Sequence, residues 1–140
     1  MCSSDLSILE KFFNSRFFLH MTSAVKLERE LKFNRMVPLS SLTAFPALAK
    51  LLEGRSLMVR GSVDLLCEFE DGHLELCDYK TDHITEAERK DPSLLAHRMT
   101  EQHRDQLLQY AAAITELYGK APTHAYIFSL PLGEAVEIPL

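Results

Sequence analysis

The 140 residues read as an α/β domain, a mixed sheet flanked by helices. Three observations lead there. Apolar residues recur at helical spacing near the N-terminus and again after Asp91-Pro92. Between these stretches, two alternating runs bracket Asp71-Gly72, a strong hairpin turn pair. After Gly119, two short strand-like runs are joined by Pro131-Leu132-Gly133.

The elements follow in order. Residues 5–20 predict one amphipathic helix, with Leu6, Leu9, Phe13, Phe17 and His20 on one stripe and Ser4 or Asp5 as N-cap. Residues 24–37 alternate as a strand through Val25, Leu27, Leu31 and Phe33. Residues 41–53 read as a short helix limited by Pro46 and stopped by Gly54. Residues 57–70 and 73–80 form the hairpin. Residues 81–91 are polar and read as a mobile loop with some helical character. Asp91-Pro92 opens a long helix, with a possible break near Thr100, that Gly119 closes. Its expected buried stripe is Leu107, Tyr110, Ala111, Ile114 and Leu117. Residues 123–130 and 134–138 are the last strands.

Composition narrows the class. A chain of this length makes one domain, residues 1–140. The hydrophobic share is 46% and the charged share 25%, ordinary for a globular protein. No apolar run approaches the length that spans a bilayer, so no membrane partner is expected. Met1-Cys2-Ser3-Ser4-Asp5 lacks the basic and apolar regions of a signal peptide, and the expected compartment is the cytoplasm. Cys2, Cys67 and Cys77 read as buried or incidental thiols. The formal net charge of −5 argues against a stand-alone DNA-binding module with a basic face. It does not argue against a site built from carboxylates around a cation.

Such a site is written in the hairpin. Asp78-Tyr79-Lys80 ends an apolar strand, and Asp64 lies in Gly61-Ser62-Val63-Asp64 on the neighbouring one. Two carboxylates hold a hard divalent cation through oxygen. The cation would activate water and neutralise charge on a phosphate. Lys80 shares a strand face with Asp78 and adds a point charge for the phosphate or the attacking water. Gln106 and Tyr110 are four apart and project from one helical face. A two-residue turn at Asp71-Gly72 would set Asp64 opposite Tyr79, on the wrong face for Asp78. Convergence of the acids therefore predicts a bulge or a three-residue turn that shifts the register by one.

Arg60-Gly61-Ser62-Val63-Asp64-Leu65-Leu66, Leu76-Cys77-Asp78-Tyr79-Lys80-Thr81-Asp82 and Gln106-Leu107-Leu108-Gln109-Tyr110-Ala111 resemble the RecB-family nuclease domain of the PD-(D/E)xK superfamily. The resemblance is nearest to the C-terminal nuclease domain of AddA-type helicase–nucleases, and it runs from about residue 5 to the end. It implies a restriction-endonuclease-like fold and exonucleolytic, metal-dependent DNA hydrolysis in recombinational repair of double-strand breaks.

By resemblance, Asp64, Asp78 and the backbone carbonyl of Tyr79 would hold Mg2+, with Mn2+ able to substitute. Lys80 and Gln106 would join them in catalysis, Gln106 and Tyr110 would contact DNA, and Glu30, in Glu30-Leu31-Lys32-Phe33, would stand behind the metal ligands. The family has an aromatic residue where this chain has His103. Three cysteines cannot supply the four-cysteine iron–sulfur cluster of some relatives, so none is expected.

The family's further metal-binding histidine lies upstream of any residue here. That makes the chain a C-terminal fragment whose partners are DNA, a helicase region of the same polypeptide and an AddB-like subunit. No phosphate-binding loop is present for a motor. The alternatives are a free-standing RecB-like nuclease and a non-catalytic docking domain for a partner subunit.

Overall fold

The computed structural model describes Ser7 and residues 10–140. The expected N-cap at Ser4 or Asp5, together with Leu6, Leu9 and Cys2, lies outside them. The described elements are α1 (Arg16–Thr22), β1 (Lys26–Pro38), a 3-10 turn (Leu39–Leu42), α2 (Pro46–Leu51), β2 (Ser56–Glu68), β3 (Leu74–Lys80), α3 (Glu86–Lys90), α4 (Pro92–Tyr118), β4 (His124–Ser129) and β5 (Glu134–Glu137). The five strands form one sheet in the order β1-β2-β3-β4-β5. β2 and β3 are antiparallel, β3 and β4 parallel, β4 and β5 antiparallel. This is the expected mixed α/β sheet. The parallel step is the one that requires a long crossover, and α4 lies within it.

The chain divides into two compact units, residues 1–31 with 63–140, and residues 32–62. In the first, sheet alternation separates two sets of side chains. Leu65, Cys67, Phe69, Cys77 and Phe128 pack with Phe17 and Met21 of α1. Leu66, Leu76, Asp78 and Lys80 occupy the alternate positions. α4 buries Leu95, Met99, Leu107, Tyr110, Ala113 and Ile114. Full burial of each larger aliphatic side chain contributes about 1.5–3 kcal/mol.

Three helical expectations are corrected. The N-terminal helix is not continuous: residues 10–13 are helical, then Ser15 caps a new helix, its side chain accepting the Phe18 N–H at 3.1 Å. Phe13 is accordingly exposed while Phe17 is buried. The helix expected over 41–53 is a 3-10 turn followed by six-residue α2, which starts at Pro46 as its first helical residue. α4 has no break at Thr100, whose hydroxyl donates to the Ala96 carbonyl one turn back at 2.7 Å. Of its expected stripe, Leu107, Tyr110 and Ile114 are buried, Ala111 is half-buried and Leu117 exposed, and Ala113 is buried in addition.

The segment expected to be a loop after β3 contains α3, opened by a reciprocal cap between Thr85 and Glu88. Arg98 on α4 ties it down: its guanidinium pairs with Glu88 and donates to the His83 carbonyl at 2.9 Å. That pairing holds the Glu88 carboxyl down at about 2.

Glu75 is a buried carboxylate in β3, only 2% exposed. Burial alone would raise its pKa, but hydrogen bonds from His73 and His20, at 2.6 and 2.9 Å, bring it below the ordinary value. The rings of His20 and His73 each stack on Phe69. His20, expected only to end a helix, thus fastens α1 to the sheet.

Within residues 32–62, Gly61 of β2 lies against the buried ring of Phe33 in β1. A Cβ at Gly61 would meet that ring at 2.5 Å. Gly61→Ala is therefore expected to destabilise the chain by about 1–3 kcal/mol, read by chemical denaturation. Phe33→Leu combined with it should recover part of the loss. Equal stability of Gly61→Ala and the native chain would show that the contact is not tight.

Candidate active site

The hairpin turn decides the geometry. Phe69 N–H donates to the His73 carbonyl at 3.0 Å, enclosing three residues, and Gly72 takes φ 88°. This is the three-residue turn with a left-handed glycine. The ladder then pairs Glu68 with Leu74, Cys67 with Glu75, Leu66 with Leu76 and Leu65 with Cys77. One more step in that register sets Asp64 opposite Asp78, as convergence of the two acids requires.

Asp64 is half-buried, and its Oδ2 accepts the Tyr79 backbone N–H at 2.9 Å. That bond clamps the first acid to β3 beside the second. Asp78 is buried, and the Asp64 carboxylate beside it adds to the burial that raises its pKa. Lys80 Nζ lies 2.9 Å from Asp78 Oδ2 and donates to Gln106 Oε1 at 2.8 Å. Gln106 Nε2 in turn donates to the Tyr110 hydroxyl at 2.9 Å. Thus Asp78, Lys80, Gln106 and Tyr110 form one connected chain of side chains, and Asp64 joins it through the Tyr79 backbone.

Tyr79 differs from its neighbours. Its ring points to the opposite face, edge-on to Phe12 at 5.7 Å and near Phe128 at 6.4 Å. Burial there pushes its hydroxyl up to about 12. Only its backbone belongs to the site. Burial likewise raises the Tyr110 hydroxyl, with Asp78 and Asp64 adding to the effect. Glu30 is exposed in β1, at φ 49°, and makes no hydrogen bond or ion pair among the described residues.

Asp78 carries the electrostatic signature of the site. Burial, then the neighbouring Asp64 carboxylate, pushes its pKa up to about 6, against the pull of Lys80. The Lys80 contact has the distance of an ion pair but not the direction of a hydrogen bond. Asp78 Oδ2 is therefore a buried oxygen without a hydrogen-bond partner among the described residues. A buried orphaned oxygen and two crowded carboxylates are both relieved by a cation, so these residues fit a hard divalent metal ion. Among the described residues no cluster of three or more histidine, cysteine or acidic side chains forms a complete metal cage.

The sequence did not expose one part of the surroundings. Asp82, beyond Lys80, accepts from His103 at 2.9 Å and lies 3.7 Å from Arg98. Both residues lie on α4. Their shared target lies across a loop, where no periodic pattern signals a contact. His103 and Gln106 sit one turn apart and hold Asp82 and Lys80 respectively.

The raised pKa of Asp78 has a consequence for stability. Its folded value, about 6, exceeds the ordinary 3.8, so the ionised form opposes folding. That cost is absent below about pH 4, grows as pH rises, and is complete above about pH 6. In metal-free buffer, Asp78→Asn should gain thermal stability relative to the native chain across that window. Magnesium should raise the native melting temperature at about pH 7 and leave that of Asp78→Asn unmoved. A stability difference independent of pH would remove the buried-acid argument.

The comparisons with known proteins agree with this geometry. Residues 7–137 match the PD-(D/E)XK nuclease superfamily. The chain is 31% identical, over 97% of its length, to an ATP-dependent helicase/nuclease subunit of Ruminiclostridium cellulolyticum, and covers 10% of that protein. It is 31% identical, over 89% of its length, to the protein of the same name from Anoxybacillus flavithermus, and covers 9% of it. With the Clostridioides difficile protein of that name the figures are 31%, 90% and 10%. The chain spans about a tenth of the length of the curated relatives it matches. With a mixed sheet, facing acids and a lysine two residues beyond the second acid, this chain belongs to the PD-(D/E)XK nuclease superfamily.

Proposed function

We propose that this chain is the nuclease module of a longer AddA-like helicase–nuclease, and that it hydrolyses DNA phosphodiester bonds as a Mg2+-dependent exonuclease. The observation that carries the reading is the facing pair Asp64 and Asp78, with a buried unpartnered oxygen and Lys80 Nζ 2.9 Å away. A structural ion pair would have no use for the second acid. A cation site needs it.

In this reading the two carboxylates and the Tyr79 carbonyl hold the metal. Mg2+ suits these hard oxygen donors, and Mn2+ substitutes. When bound, the ion supplies positive charge to the phosphate and activates water. Asp64 is held in place by the Tyr79 N–H, so little rearrangement is required. Lys80 has its ammonium oriented by Asp78 on one side and Gln106 on the other. It stabilises charge that develops on the phosphate in the transition state, the largest contribution available to such a site. Gln106 and Tyr110 border the DNA backbone, Gln106 holding Lys80 and Tyr110 anchoring Gln106. Glu30 is the weakest member of the set, since its side chain is exposed.

The biological assignment follows from the relatives' name, which calls them ATP-dependent helicase/nuclease subunits. A helicase region of the same polypeptide would deliver DNA to the site, an AddB-like protein would be the partner, and the role would be double-strand-break repair in the cytoplasm. A further metal-binding histidine would come from sequence preceding this module.

The test is Mg2+- or Mn2+-dependent cleavage of single-stranded DNA by the chain and by the longer protein that contains it. Lys80→Ala in the longer protein should lower the rate at least about 100-fold, with DNA affinity in chelator unchanged. Silence from the module alone, with cleavage by the longer protein, would place the missing ligand upstream. Cleavage that survives Lys80→Ala would overturn the assignment.

A further inference from the structure

The chain is acidic overall, yet its charge is unevenly distributed. Residues 32–62, one of the two compact units, hold five of the 15 lysines and arginines and one of the 20 acids. The unit is therefore +4 in a chain of net −5. Lys32, Lys50, Arg55 and Arg60 are all exposed, and none makes an ion pair among the described residues. In the other unit, by contrast, Lys26, Lys80, Arg98 and Lys120 each pair with a carboxylate.

The same unit presents apolar groups to solvent. Phe45 is 73% and Leu51 77% exposed, and Met36 and Met58 are also exposed. α2 is six residues long and, like the 3-10 turn before it, buries none of its residues. So short a helix is not stable by itself in water. Its exposed apolar face fits an occupant that brings apolar surface as well as negative charge.

We infer that the unit of residues 32–62 is a docking surface for a single nucleic-acid strand. Charge complementarity selects this occupant: unpaired cations interleaved with exposed apolar and aromatic side chains meet phosphates and base faces respectively. The inference rests on the nuclease reading for its biological sense. It also answers a difficulty in that reading, because a chain of net −5 does not attract a polyanion through its overall charge. Local positive charge has to do so, and it is gathered on this unit.

The test measures binding without cleavage. Fluorescence anisotropy of a labelled 20-mer oligothymidine is followed in chelator, over a salt series, with the whole chain. Replacing Lys32, Lys50 and Arg55 together by Gln should weaken binding at least tenfold at low salt. It should also flatten the slope of log K against log salt by about 2, since each phosphate contact on a single strand contributes about 0.7. Phe45→Ser should weaken binding with the slope unchanged. An unaltered affinity and slope in the triple variant, or no binding by the native chain, would overturn the inference. So would a concentration-dependent dimer that Phe45→Ser and Leu51→Ser dissolve while DNA affinity is kept, since the face would then be a protein interface. Cleavage by a chain whose triple variant still binds normally removes this inference alone. Binding by a longer protein that depends on residues 32–62, with no cleavage, removes the nuclease reading instead.

Discussion

Two carboxylates must meet at one buried point, and in this fold the antiparallel register of β2 and β3 brings them there. The register follows from a turn of three residues between Phe69 and His73, closed by one backbone bond and by a left-handed Gly72. A turn one residue shorter would move Asp64 to the face of Tyr79. It would also exchange faces for Leu65 and Cys67, taking them away from Phe17 and Met21. Core packing and site geometry are therefore set by the same bond pattern, and neither can change without the other.

The site opposes the stability of the fold that holds it. Asp78 is buried beside another acid, its pKa is pushed up to about 6, and one of its oxygens has no hydrogen-bond partner among the described residues. Unpaired buried polar atoms are destabilising, and they persist where the surrounding structure over-determines them. Here the surroundings are apolar and well packed. Leu74, Leu76, Leu107, Ile114 and Ile127 are fully buried around β3 and α4, which carry Asp78, Lys80 and Gln106. The contrast with Glu75 is informative. It is equally buried in the same strand, but two histidines meet both of its oxygens, and its pKa is lowered instead of raised. One carboxylate is completed by the protein. The other keeps an oxygen without a hydrogen-bond partner among the described residues.

Lys80 depends on a second element. Its ammonium is held by Gln106, and Asp82, two residues further on, is held by His103 one turn away on α4. The long helix thus grips the end of β3 and the residue two beyond it at two successive turns.

Much of this was legible in the amino-acid sequence. Asp71-Gly72 marked the hairpin, Asp91-Pro92 and Gly119 bounded α4, and strand periodicity put Asp78 and Lys80 on one face. These are local signals, written in dihedral preference and in the period of two, and they need no partner to be read. Local preference also misled where packing decided. Phe13 kept helical spacing with Phe17, yet Ser15 restarted the helix and left Phe13 exposed. Leu117 fitted the apolar stripe, yet it is exposed, and α4 buries Ala113 alongside the expected Ile114. The contacts of Arg98 with Glu88 and of His103 with Asp82 join residues across a loop, and no short-range pattern encodes them. Chain order and residue type were enough to name the acids, the lysine and the glutamine that the structure gathers, and the succession of their elements. Packing in three dimensions was needed to leave Asp78 buried with an oxygen unpartnered, because burial is a property of everything packed around a residue and not of its neighbours in the chain.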